Sequence, residues 1–295
     1  MKVIYLSLAI TLLQTIHANS QHTDLYVDVK PKSFKINIPF EINNRGIIIK
    51  TYWGADKAQN DLLWDNNSPS WANEMIITNT RSVTRSKNFA YSTTTASGTP
   101  IYGDVYNCDS ISVGQVTFVN VPLYEISDPM KGVFGINLIS KGFWEINFKK
   151  REMIFASSID SLKDLSQTEP FSSNFNNDEI KVPLKFRNNV VEDVELDFGY
   201  NGSILLPTSD FLQITRGYIN LIKRDLRFST PGNNSDLENT LAFDTVRINK
   251  HAFKTVIYTN KLATEKLIGL AFFEPFEFVI FDYRNKLVYV SIQRD

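Results

Sequence analysis

The stretch Val194–Leu206, VELDFGYNGSILL, decides how this chain is read. Apolar and polar residues alternate into Asp197, a turn containing Gly199 and Gly202 follows, and Ile204-Leu205-Leu206 opens another apolar run. This is the pattern of strand, tight loop and strand. Glycine takes backbone angles denied to other residues, so the loop is expected to fold back closely and present the Asp197 carboxylate at its apex. A carboxylate so placed is a candidate catalyst, although an Asp also opens ordinary turns. The rest of the chain has to decide between the two.

A second copy of the pattern shifts the balance. Asp65 lies 132 residues upstream, inside NDLLWDNNSPSW and directly after an apolar run. Downstream of each Asp comes an apolar-apolar-Gly element, Val133-Phe134-Gly135 and Leu267-Ile268-Gly269, with the glycines 134 residues apart. Each glycine leads into a short apolar segment and then a hairpin, EINFKKREMIF at Glu145–Phe155 and VIFDYRNKLVYV at Val279–Val290. An ordered set of landmarks at a nearly constant offset predicts two homologous lobes.

With these residues in view, the chain resembles the pepsin-like and retropepsin-like aspartic peptidases over roughly Phe34 to Ser291. The resemblance implies an all-β fold of duplicated β-barrel lobes with a cleft between them. It also implies Asp65 and Asp197 as the catalytic pair. The family motif is Asp-Thr/Ser-Gly, once per lobe. Here it reads Asp197-Phe198-Gly199 in the second lobe and Asp65-Asn66-Asn67-Ser68 in the first. In the family, the two Thr hydroxyls hydrogen-bond across the lobe interface. Asn66 can imitate that clamp, Phe198 cannot, and half of it is expected to be missing. Ser68 and Ser203 are candidates to orient the outer carboxylate oxygens, with turn capping as the alternative.

Residues 1–20 read as a secretory signal peptide: Met1 and Lys2, an apolar run from Val3 to Ile16, then small polar residues. That run is shorter than a comfortable bilayer span, so a secreted or periplasmic protein without a membrane span is expected. The lobes are then expected at 24–156 and 179–295, joined by a polar linker at 157–178. Within the first lobe, the Ser/Thr-rich segment from Thr78 to Gly103 occupies the position of a substrate-covering flap, with Tyr91 or Tyr102 as a candidate flap aromatic. A solvated loop is the alternative there. A helix is expected from near Thr208 or Ser209.

Composition excludes several classes. The net charge of −1 offers nothing to a polyanion, so nucleic acid is not an expected partner. Cys108 is the single cysteine and the three histidines are His17, His22 and His251, which leaves no Ser-His-Asp constellation and no histidine-based metal cluster. No cofactor is expected. Sequons at Asn66, Asn201 and Asn233 place two glycan acceptors inside the site loops, which weakly favours a bacterial cell envelope. Two function classes remain. One is a monomeric two-lobed peptidase acting on peptide or protein substrates through the Asp65–Asp197 pair. The other is a catalytically silent descendant that binds peptides or serves as an interaction module.

Overall fold

In the computed structural model, the described residues are 27–291 apart from 95–99, 128–129, 164, 172–173, 177–178, 188, 218–220, 231–232 and 249–250. The expected signal peptide, the start of the first lobe and the tips of two long hairpins lie outside them. Within the described residues the chain is mostly β-strand, arranged in a sheet of fourteen strands and a sheet of eight.

The strand Lys35–Asn43 turns at Asn44-Arg45 and returns as Gly46–Trp53, as the Asn-Asn-Arg-Gly sequence predicts. Gly46 sits at φ 131°, a conformation that suits glycine. The next strand, Ala58–Trp64, delivers Asp65. It lies parallel to Gly132–Phe134, with Leu63 opposite Val133 and Trp64 opposite Phe134. The later strand Asn189–Leu196 delivers Asp197 in the same way. It lies parallel to Leu267–Ile268, with Glu195 opposite Leu267 and Leu196 opposite Ile268.

The correspondence extends to single hydrogen bonds. Asp65 N–H donates to Phe134 O at 3.2 Å and Asp197 N–H donates to Ile268 O at 3.0 Å. Gly135 and Gly269 each precede a one-turn helix, Ile136–Ile139 and Leu270–Phe273. A Cβ on either glycine would collide with backbone of the aspartate loop, 2.2 Å from Ser68 O and 2.3 Å from Tyr200 O. Space is therefore why glycine stands at both positions.

The two closing hairpins also match. Phe143–Asn147 pairs with Glu152–Ala156, and Phe278–Asp282 pairs with Leu287–Ser291. Asn147 Oδ1 accepts from Lys150 N–H at 2.9 Å and Asp282 Oδ1 accepts from Asn285 N–H at 2.8 Å. The residue after each donor, Arg151 and Lys286, takes the left-handed conformation. The two hairpins then pair antiparallel with each other, with Trp144 opposite Phe281. This puts a continuous sheet beneath both aspartate loops.

The segment expected to be a linker is more ordered than its polarity suggests. It contains short 3-10 turns at Ile159–Ser161 and Leu165–Gln167, and its Thr168–Phe171 strand pairs with Leu287–Ser291. Thr168 and Phe171 are buried, which anchors the strand, and Pro170 is tolerated because the strand lies at the sheet edge. Asn174–Asn176 already pairs with Glu179–Phe186. The expected helix is present at Thr208–Ile214. The flap segment forms the antiparallel strands Val83–Thr94 and Pro100–Val113. Tyr102 is 76% exposed there, and the side chain of Tyr91 lies outside the described residues.

Candidate active site

The two aspartate loops meet: the Asp65 carboxyl lies against Gly199 of the second loop, and the carboxyls of Asp65 and Asp197 are close enough to shift each other's titration. Each is also held by its own loop. Asp65 Oδ1 accepts from Asn67 N–H at 2.8 Å, with the Ser68 N–H as a further donor. Asp197 Oδ1 accepts from Gly199 N–H at 2.7 Å and from Tyr200 N–H at 3.1 Å. Backbone donors aimed at one oxygen of each carboxyl fix its rotamer and leave the other oxygen for the partner.

Gly199 is required for this contact, for a reason other than backbone angle. Neither Gly199 nor Gly202 has a positive φ; instead, a Cβ on Gly199 would lie 2.2 Å from Asp65 Oδ2. The glycine is the space through which one loop reaches the other's carboxyl. The expectation that these glycines supply unusual backbone angles is therefore corrected: they supply clearance. Asn67, where the family has its first-lobe glycine, has no positive φ either, so the turn needs no left-handed residue.

The largest departure from expectation is the clamp. Asn66 is buried, its Nδ2 donates to Leu196 O at 2.7 Å, and its Oδ1 accepts from Phe198 N–H at 2.9 Å. One carboxamide, both donor and acceptor, grips the backbone on both sides of Asp197. The clamp is thus complete but one-sided, and Phe198 takes part through its peptide group alone. Replacing Asn66 by Ala strands a buried carbonyl and a buried N–H, each costing about 1–3 kcal/mol. Chemical denaturation should register a loss of roughly 2–6 kcal/mol, and a loss under about 1 kcal/mol would mean that the two bonds do not hold the loops. The same engagement makes the Asn66 carboxamide unavailable to a glycan in the folded chain, whereas Asn201 is exposed and donates to Asn44 O.

The Phe198 ring, freed from any clamp role, is fully buried. It packs against Trp64, Phe281 and Phe273 with centroids 5.7, 5.2 and 5.1 Å away. Trp64, the residue before Asp65, in turn meets Trp144 and Phe281 at 5.9 and 5.4 Å. Aromatic edges from both halves therefore support the two aspartate loops from below.

The two serines have other partners. Ser203 Oγ pairs with Thr255 Oγ1 at 2.6 Å, and Ser68 Oγ donates to Pro69 O at 3.1 Å. Ser68 meets Asp65 only through its backbone N–H. The proposed role of the two hydroxyls in orienting the carboxylates is therefore corrected to local turn and strand bonding.

Burial dominates the electrostatics. Both aspartates keep some surface, but their carboxyls are enclosed by protein. Desolvation lifts Asp65 to about 6, against the hydrogen bonds from Asn67, Asp197 and Ser68 that favour its charge. Asp197 is raised well above the ordinary range, first by desolvation, then by the nearby charges of Asp65 and Glu195. A shared proton on the Asp197 side satisfies both sets of forces.

Among the described residues no group of three or more His, Cys, Asp or Glu side chains is arranged to hold a metal ion, and no helix is long and apolar enough to cross a membrane. No family model matches this chain, and no curated protein matches it.

Proposed function

We propose that this chain is a two-lobed aspartic-peptidase-like hydrolase, with duplicated β-barrel lobes at 24–156 and 179–295 and a substrate cleft over the Asp65–Asp197 pair. The observation that carries the reading is the meeting of two aspartate loops 132 residues apart, with matching strand pairings and the Asp65 carboxyl packed against Gly199 beside Asp197. With one proton between them, ionised Asp65 takes a proton from a water molecule while protonated Asp197 gives its own to the peptide carbonyl oxygen. The water oxygen adds to the carbonyl carbon; Asp65 then passes its proton to the leaving nitrogen, the C–N bond breaks, and Asp197 takes back a proton from a hydroxyl of the intermediate as the carboxyl product forms. A secreted or periplasmic location and a monomeric chain acting on peptides or proteins belong to the same proposal.

The titration order sets the pH range. The working form carries one proton, so Asp65 must be ionised and Asp197 must not. Cleavage of a denatured protein pool should therefore rise as pH passes about 6, where Asp65 ionises, and fall again where Asp197 does. The acid limb thus lies nearer neutrality than an isolated carboxyl near 3.8 would place it. A pH profile of kcat/KM with purified protein checks this. No cleavage at any pH, with peptides still retained by the folded protein, would favour the silent binding module.

A further inference from the structure

The two aspartate loops are near copies, so their backbone bonds alone do not choose which carboxyl keeps the proton. The difference lies two residues upstream of each aspartate, on the strand that delivers it. That position is Leu63 in the first half, apolar and buried, and Glu195 in the second. Strand alternation puts residues two apart on the same face, so Glu195 shares the face of Asp197. Its carboxyl also reaches the Asn67 side chain, whose backbone N–H donates to Asp65 Oδ1 at 2.8 Å. Glu195 therefore sits beside the pair on the strand that delivers Asp197, with its charge felt at Asp197 and its carboxyl near Asn67 of the other loop.

We propose that Glu195 is a positioning residue of this pair, a third carboxyl that keeps the shared proton on Asp197 and leaves Asp65 as the base. The proposal rests on the reading of Asp65 and Asp197 as a working pair. An anion beside Asp197 makes the protonated form of that aspartate the favoured one. The other charged groups around Glu195 are Glu179 and Lys181 on the Glu179–Phe186 strand, Asp193 near Lys181, and Glu265 just before Leu267–Ile268. Lys181 lies directly opposite Glu195 in the sheet but is engaged by Glu179 at 2.8 Å. Glu265 and Glu179 add negative charge, and desolvation is the first cause that lifts Glu195 to about 7. Its charge therefore appears near neutral pH, in the range where the pair is singly protonated.

The test is Glu195→Gln, which keeps the shape and a polar contact for Asn67 and removes the charge. Glu195→Leu, which copies Leu63, serves as the second variant. Carboxyl-carbon NMR titration of isotopically labelled aspartates reads the pair directly, with no need for turnover. In both variants the upper titration step of the pair should move down by about one pH unit, a tenfold loss of proton affinity. In an active protein the alkaline limb of kcat/KM should move with it. An upper step that stays in place in folded Glu195→Gln protein overturns the proposal. So does a rise in KM confined to substrates with basic side chains while the titration is unchanged, since that outcome makes Glu195 a substrate contact. Failure to cleave anything, with the upper step still shifted, would count against the peptidase reading and leave the role of Glu195 standing.

Discussion

Replacing Asp197 by Asn is expected to lower any cleavage rate by about 10²–10⁴-fold, the usual worth of one acid–base group, while making the protein less sensitive to rising pH. The change is isosteric. Asn Oδ1 can still accept from the Gly199 and Tyr200 N–H groups, and Asn Nδ2 can donate to Asp65, so the loops stay together. What is lost is the proton that Asp197 gives to the carbonyl oxygen.

The stability effect follows from the same burial. Both carboxyls titrate above the ordinary 3.8 in the folded chain, so the folded state keeps protons that the unfolded state releases. Stability from this source is full below that value and is lost as pH rises toward each folded-state pKa. For Asp65 the window runs from 3.8 to about 6, a loss of about 3 kcal/mol. While both groups retain their protons, the pair contributes about twice the pH slope that remains with one group left. Denaturation curves across that window should show the wild type falling more steeply than Asp197→Asn. Equal slopes would mean that Asp197 is not held protonated.

The second large effect is expected from Phe198→Thr, the substitution that would make residues 197–199 read Asp-Thr-Gly. It should destabilise the chain without raising its activity. The ring is fully buried among aromatic side chains from both halves, and removing a buried Phe costs about 3–5 kcal/mol. The clamp has nothing to gain, because Asn66 already donates to Leu196 O and accepts from Phe198 N–H. A new hydroxyl at 198 would enter an apolar site without a partner. Thermal melts should show a fall of roughly 10 °C. A variant at least as stable as the wild type and faster in turnover would show that Phe198 is a defect in a weakened enzyme.

These two residues also mark where the sequence stops being informative. Read alone, Asn66-Asn67 and Phe198 look like damage to a motif, because a motif records side chains in order and says nothing of what they reach. Asn66 meets its partners across a sequence separation of 130 residues or more, and only the packed chain shows that a single carboxamide spans both backbone groups. Ser203 was indistinguishable from a site serine until the Thr255 strand supplied its partner. The polarity of 157–178 hid an edge strand, since Thr168–Phe171 has meaning only against Leu287–Ser291.

What the sequence determined by itself was local or periodic. Alternation set the strands, Asn-Asn-Arg-Gly set the first hairpin turn, and the repeated apolar-apolar-Gly spacing tied Asp65 and Asp197 to equivalent pairings. Those features depend on backbone preferences and on the two-residue period of a strand, both written into neighbouring residues. The tertiary structure alone decided the contact between the two carboxyls, the clearance at Gly199, the one-sided clamp and the asymmetry between Leu63 and Glu195. Each of these depends on distances between loops far apart in the chain, and the burial that shifts the aspartates exists only once both loops have been brought together by the core beneath them.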